Sequence, residues 1–192
     1  MKVSRQQVAY NRKLILDRAS RLFRKKGFDG VGIVDIMKSA GLTHGGFYGH
    51  FRSKDQLIAE SCADALTKTR ENWENEARHH PDDPLGAVVR SYLTAAHRDD
   101  PATGCVFASV GAEMARRRTI VRRPFTQEVR TNLAMLERFA TESSKIVRRK
   151  RAIATLAGMV GALILARAVD DESLSNEILS VARMVWIDNW RD

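Results

Sequence analysis

The sequence predicts an all-α protein of about nine helices, and three observations carry that expectation. Apolar residues recur at three- and four-residue spacing in one segment after another. No segment alternates apolar and polar residues with the two-residue period of a strand over any length. Strong breakers separate the helical segments, notably Pro81-Asp82-Asp83-Pro84 and Arg98-Asp99-Asp100-Pro101. With 192 residues, 44% of them hydrophobic, the chain can bury a sizeable core.

Residues 1–9, with Lys2 and Arg5, read as a polar basic arm. From about Val8 to Lys26 the pattern is an amphipathic helix, with Ile15, Ala19, Leu22 and Phe23 on its apolar face and Gly27 ending it. Ile33, Ile36, Met37 and Ala40 make the apolar face of a second, short helix that Gly41 stops. Thr43 stands at an N-cap, its hydroxyl placed to accept a backbone N–H. A third helix, His44 to about His50, is expected to pack through Phe47 and Phe51 and to leave His44, Gly45, Tyr48 and Gly49 outward. Three helices, the last two joined by a turn with glycine, form the helix-turn-helix arrangement whose second helix enters the DNA major groove. The domain boundary falls at residue 54, giving a reader domain over 1–54 and a helical domain over 55–192.

Ser53 is placed to cap a long helix running to about His79 with Leu57, Ile58, Cys62, Leu66 and Trp73. Shorter helices are expected over Leu85–His97 and Gly104–Arg116, then longer ones from about Arg122 to Ser144, Arg148 to Val169 and Leu174 to Trp190. There is no internal repeat and no low-complexity tract.

Charge divides the chain at the same place. Residues 1–54 hold 12 Lys/Arg and 3 Asp/Glu, whereas residues 55–192 hold 20 of each, so the whole net charge of +9 lies with the helix-turn-helix pattern. A phosphate-binding domain joined to a neutral one has this asymmetry. The arginine clusters Arg116-Arg117-Arg118, Arg122-Arg123 and Arg148-Arg149-Lys150-Arg151 read as solvated helix ends, where cations favour C-termini. Two cysteines, Cys62 and Cys105, make neither a disulfide framework nor a zinc site and fit a reducing cytoplasm. The N-terminus lacks the apolar stretch of a signal peptide. The longest uncharged apolar run, Ala152–Ala166, is 15 residues, short for a bilayer span, and reads as a buried helix.

The run Gly41-Leu42-Thr43-His44-Gly45-Gly46-Phe47-Tyr48-Gly49-His50-Phe51-Arg52-Ser53-Lys54 resembles the recognition signature of the TetR family of bacterial transcriptional regulators. Leu22-Phe23, Gly27-Phe28 and Asp35-Ile36 stand upstream at the family's spacing, so the likeness covers roughly residues 10 to 58. The resemblance implies phosphate contacts by Thr43, Tyr48, His50 and Lys54. There are departures from the pattern. Gly32 stands where the family usually has a capping Ser or Thr, Val34 occupies an outward position that is often polar and can reach a base, and Gly46 replaces a Thr or Ser. Gly45, Gly46 and Gly49 each cost about 1 kcal/mol against alanine in a helix interior, so the recognition helix is intrinsically weak. In return they allow close backbone approach to DNA, and His44 is left as the main base-reading side chain.

The resemblance further implies a homodimer whose last two helices form a four-helix bundle across a two-fold axis, with Leu156, Val160, Ile164, Ile178, Val181, Val185 and Trp186 as interface candidates and Trp190 beside them. The helices between Leu57 and Phe139 would then enclose a largely apolar effector, with Cys62, Trp73, Tyr92, Cys105, Phe107, Met114 and Phe125 as lining candidates. The function expected is a ligand-responsive regulator, a repressor, on a pseudo-palindromic double-stranded DNA operator, with no cofactor and no membrane. A DNA-binding scaffold or activator without a small ligand is the alternative. An enzyme is not expected. A di-iron bundle needs two Glu-x-x-His motifs and the chain has one, Glu76-Ala77-Arg78-His79, while phosphate-loop, dinucleotide, zinc-protease and nucleophile-elbow motifs are absent.

Overall fold

A computed structural model describes residues 4–188, with side-chain environments through residue 186. The described residues form nine α-helices and one 3₁₀ helix, with no strand. These are α1 (Arg5–Lys26), α2 (Ile33–Ser39), a 3₁₀ recognition helix (His44–Gly49), α3 (Lys54–His79), α4 (Pro84–Tyr92), α5 (Ala95–Asp99), α6 (Val106–Met114), α7 (Thr119–Phe139), α8 (Lys145–Ala168) and α9 (Glu172–Asp188).

Several boundaries differ from the sequence expectation, two of them for a visible local reason. The helix placed from Val8 begins at Arg5, because the Ser4 hydroxyl accepts the Gln7 N–H at 3.1 Å and caps it. Lys2 lies outside the described residues. The helix expected over Leu85–His97 is two. Thr94 Oγ1 accepts the His97 N–H at 3.1 Å and starts α5, while His97 Nδ1 lies 2.7 Å from the Tyr92 carbonyl at the end of α4. The next long helix starts at Thr119 and ends at Phe139, short of Ser144, and α8 begins at Lys145.

The described chain divides into two compact units, and the division falls within α3 and α7 rather than at residue 54. The first unit comprises Met1–Thr67 and Pro101–Gln127, and the second comprises Lys68–Asp100 and Glu128–Asp192. In the first, Ile15, Phe23, Phe28, Ile36, Met37, Phe47, Phe51 and Leu57 form a closed core. In the second, α8 and α9 pack side by side, with α4 against both and α5 on α8. A Cβ added at Gly158 of α8 would overlap the Trp186 indole of α9, so glycine there makes the close approach of these helices possible. Arg167 secures the end of α8 by donating to the Arg98 and His97 carbonyls at 3.0 and 2.6 Å. By length and composition alone α8 could cross a membrane, and 44% of its most apolar window is buried inside the protein.

Candidate nucleic-acid interface

The core of the first unit decides which side chains of the helix-turn-helix face outward. Gly41 takes φ +69°, the left-handed conformation that ends α2 and turns the chain. Phe47 is fully buried, stacked on Phe51 at 5.8 Å and edge-on to Tyr48 at 5.2 Å. With Phe47 inward, Thr43, His44, Gly45, Gly46, Tyr48 and Gly49 are all exposed, as is Val34 on α2. Tyr48 is 66% exposed, too open to serve as a core aromatic. His50 is half-buried, its ring tilted against Phe51, and its Nδ1 has no hydrogen-bond partner within the protein.

Two local expectations are corrected, and the glycine at the start of α2 acts as the sequence implies. The recognition helix is 3₁₀ rather than α, consistent with three glycines in six residues and the low helical propensity they confer. The Thr43 hydroxyl makes no capping hydrogen bond, although the residue does occupy the N-cap position. Gly32 caps α2 by backbone only: its N–H donates to Asp35 Oδ2 at 3.1 Å, and lacking a side chain it returns nothing.

The glycines of the recognition helix have no neighbours that require them. Nothing lies within 4 Å of a Cβ built at Gly45 or Gly49, and Gly46 would meet Met37 Cε at an ordinary 3.7 Å. None of the three has a positive φ. No steric demand inside the chain explains their choice.

A polar relay fixes the start of α3, where Lys54 sits half-exposed. Ser53 Oγ accepts the Gln56 N–H at 3.1 Å, and Gln56 Oε1 accepts the Arg52 N–H at 2.8 Å. Gln56 Nε2 donates to Glu60 Oε1 at 2.8 Å, and Arg12 of α1 closes the series on Glu60 Oε2 at 2.5 Å while lying over the Phe51 ring at 4.6 Å. Nothing beside Arg12 in the chain announces this role. Its partner is 48 residues away, which no local pattern could reveal.

The segment 101–127 braces this unit. Glu113 of α6 accepts the Phe28 N–H on Oε2 at 2.8 Å. Gly27 takes φ +73°, and a Cβ there would lie 2.6 Å from Glu113 Oε1, so glycine serves both the turn and the close approach. Arg117 lies over the Phe28 ring at 5.1 Å and binds Asp29 Oδ2 at 2.7 Å. That bond, chiefly, holds the Asp29 carboxyl below its ordinary range. Arg24 donates from Nε to the Ala102 carbonyl at 2.8 Å and lies within electrostatic reach of both cysteines. The sequence showed no basic neighbour for either thiol. Even so, burial pushes the Cys62 thiol up to about 12, and Arg24 opposes this only in part.

The lining candidates fall in both units. Cys62, Cys105, Phe107 and Met114 are buried in the first, with Phe125 half-buried and edge-on to Phe107 at 5.4 Å. Trp73 and Tyr92 are buried in the second, edge-on at 5.8 Å. Of the interface candidates, Leu156 is buried, Val160, Ile178 and Trp186 are half-buried, and Ile164, Val181 and Val185 are exposed. Trp186 faces Gly158 of its own chain. Trp190 lies outside the described residues.

An outward recognition helix on a basic three-helix core is the geometry of a helix-turn-helix DNA-binding protein. Residues 15–61 match the family described as bacterial regulatory proteins, tetR family. The match covers the latter half of α1, the helix-turn-helix and the start of α3, and the members of that family are transcriptional regulators rather than enzymes. It is 33% identical over 90 residues to the HTH-type transcriptional regulator AcrR of Shigella flexneri, covering 47% of this chain and 41% of that one. It is 31% identical over 99 residues to the HTH-type transcriptional repressor Rv1474c of Mycobacterium tuberculosis, covering 52% and 49%. The aligned stretch thus spans about half the length of these curated relatives or less. Reduced NemR of Escherichia coli superposes with a TM-score of 0.77 over 94% of this chain and 96% of its own, at 20% identity. At that identity the likeness speaks to the fold alone.

Proposed function

We propose that this protein is a ligand-responsive transcriptional repressor that binds a pseudo-palindromic DNA operator as a homodimer in the cytoplasm. The observation that carries the reading is the outward face of the helix-turn-helix. His44 and Tyr48 stand exposed on a 3₁₀ helix flanked by glycines with open space above them, in a unit that holds 17 Lys/Arg against 7 Asp/Glu. In this reading His44 reads base edges, the backbone at Gly45, Gly46 and Gly49 approaches the groove, Val34 touches a base, and Thr43, Tyr48, His50 and Lys54 hold phosphates. Gly32 adds no hydroxyl contact. The functional reader boundary stays at residue 54, with residues 55–192 serving effector binding and dimerisation.

Apolar stripes with exposed and half-exposed members support the dimer. Ile153, Val160 and Ile164 recur along α8, and Leu174, Ile178, Val181 and Val185 along α9, at the spacing of one helical face. Paired stripes of this kind would close a four-helix bundle across a two-fold axis, covering Leu156 at its edge. The effector is small and largely apolar, matched to Cys62, Cys105, Phe107, Met114 and Phe125 of the first unit. By favouring one domain arrangement, it sets the two recognition helices out of register with major grooves roughly 34–36 Å apart. The path to the reader runs through α6, which holds the Phe28 N–H through Glu113.

The test is anisotropy binding to the DNA flanking the protein's own gene, with His44→Ala and Tyr48→Ala alongside. Saturable binding to a short inverted repeat, weakened at least about tenfold in both variants, is the expected result. Equal binding of both variants to any DNA would defeat the reading. Unchanged operator affinity across a broad panel of apolar metabolites would favour the alternative without a ligand.

A further inference from the structure

Five arginines fall within eight residues at the turn from α6 to α7: Arg116, Arg117, Arg118, Arg122 and Arg123. In the sequence this cluster reads as solvated helix ends in a neutral domain. The structure changes both premises. The segment Pro101–Gln127 belongs to the same compact unit as the helix-turn-helix and contributes 5 Lys/Arg against 1 Asp/Glu to it. Arg122 and Arg123 lie at the N-terminal end of α7, which has no acidic residue in its first turn, and cations there oppose the helix dipole.

The arginines divide by what they touch. Arg117 is used internally, on Asp29, Glu113 and the Phe28 ring. Arg116, Arg118, Arg122 and Arg123 are exposed, and none of them forms an ion pair among the described residues. The cluster at the start of α8 differs, because Arg149 and Arg151 each bind a carboxylate, Glu137 and Glu142, at 2.5 Å.

Position supplies the partner. Arg118, Thr119 and Ile120 line an open groove with Ser53 and Asp55, the two residues that flank Lys54. Lys54 and Arg116 also both lie within electrostatic reach of Asp29. The arginines thus continue the basic surface from the last residue of the recognition signature. The carboxylates facing them are Asp29, Asp55 and Glu113, of which Asp29 and Glu113 are engaged by Arg117. We infer that Arg116, Arg118, Arg122 and Arg123 form a second phosphate-binding patch that extends the protein's grip along the DNA backbone beyond the helix-turn-helix. This rests on the DNA-binding reading above. The patch contacts phosphates without reading bases, so it adds affinity and salt dependence equally on every sequence.

The test uses the full chain and a long duplex of random sequence, which requires no knowledge of the operator. Anisotropy titrations run between about 50 and 200 mM KCl, where phosphate contacts dominate the salt dependence. Arg116→Gln/Arg118→Gln/Arg122→Gln/Arg123→Gln is compared with wild type. A control, Arg78→Gln/Arg130→Gln/Lys145→Gln/Lys150→Gln, removes the same charge from exposed positions of the second unit. The patch variant is expected to bind about tenfold more weakly at low salt, its slope of log K against log salt shallower by about 0.9 for each phosphate it no longer neutralises. The control stays near wild type. Equal losses in both variants would mean that net charge alone matters and would overturn the patch, as would a patch variant with an unchanged slope. A wild type that binds no DNA at all, random or gene-flanking, overturns the regulator reading as well, whereas a failure of the patch variant alone leaves that reading standing.

Discussion

Glu113 shows how much one side chain can organise. Its carboxylate accepts the Phe28 N–H, packs against Gly27, whose positive φ calls for glycine, and lies 3.8 Å from Arg117. Glu113→Ala leaves the Phe28 N–H without a partner, which costs about 1–3 kcal/mol for a buried donor. Lower thermal stability is expected while His44 and Tyr48 stay as they are. A melting temperature equal to wild type would show that water replaces the carboxylate without penalty. Tyr48 is the opposite case. It is so exposed that its removal should leave stability within about 0.5 kcal/mol, the range typical of surface sites, and its effect should fall on DNA alone.

At the scale of elements, the recognition helix is the weakest regular segment of its unit. Three glycines in six residues leave it 3₁₀, pinned by Phe47 below and by Gly41 and the Ser53–Gln56 cap at its flanks. Gly45→Ala and Gly49→Ala fit the open space and should each stabilise the chain by about 1 kcal/mol in urea unfolding, since alanine restores helical propensity. The same substitutions should weaken operator binding, because a methyl group then stands where backbone is proposed to meet the groove. Greater stability with undiminished DNA affinity would mean the glycines serve nothing on the outer face.

For the whole molecule, the proposed assembly is tested at Ile164 and Val181, 41% and 48% exposed on adjacent helices. Ile164→Glu/Val181→Glu places charge on the stripe without entering the core. A monomer by sedimentation equilibrium, with unchanged helical content and weaker binding to an inverted repeat, is the expected outcome. A dimer that survives both charges would put the interface elsewhere.

What was legible in the sequence follows the range of each interaction. Gly27, Gly41 and Ser53 mark boundaries through their own backbone or a residue three positions away, and all three stand where the pattern put them. Ser4 and Gln7 carried an equally local signal that reading a basic arm obscured. Leu93 extends the apolar period past Tyr92, so the break before α5 is invisible until the Thr94 cap and the hydrogen bond of His97 are seen. The bracing of the first unit was not legible at all. Arg12 with Glu60, Glu113 with Phe28 and Arg117 with Asp29 join residues 48 to 88 positions apart, and the neutrality of residues 55–192 concealed that a basic part of them folds with the reader.

The empty space above Gly45 and Gly49 has an evolutionary consequence. Any glycine codon lies a single nucleotide change from alanine, valine, arginine and an acidic residue. A duplicated copy of this gene could therefore acquire a methyl group, a cation or an anion at either position without disturbing the core that holds the helix. Divergence toward new DNA sequences would then begin at two sites where the fold itself exerts almost no selection.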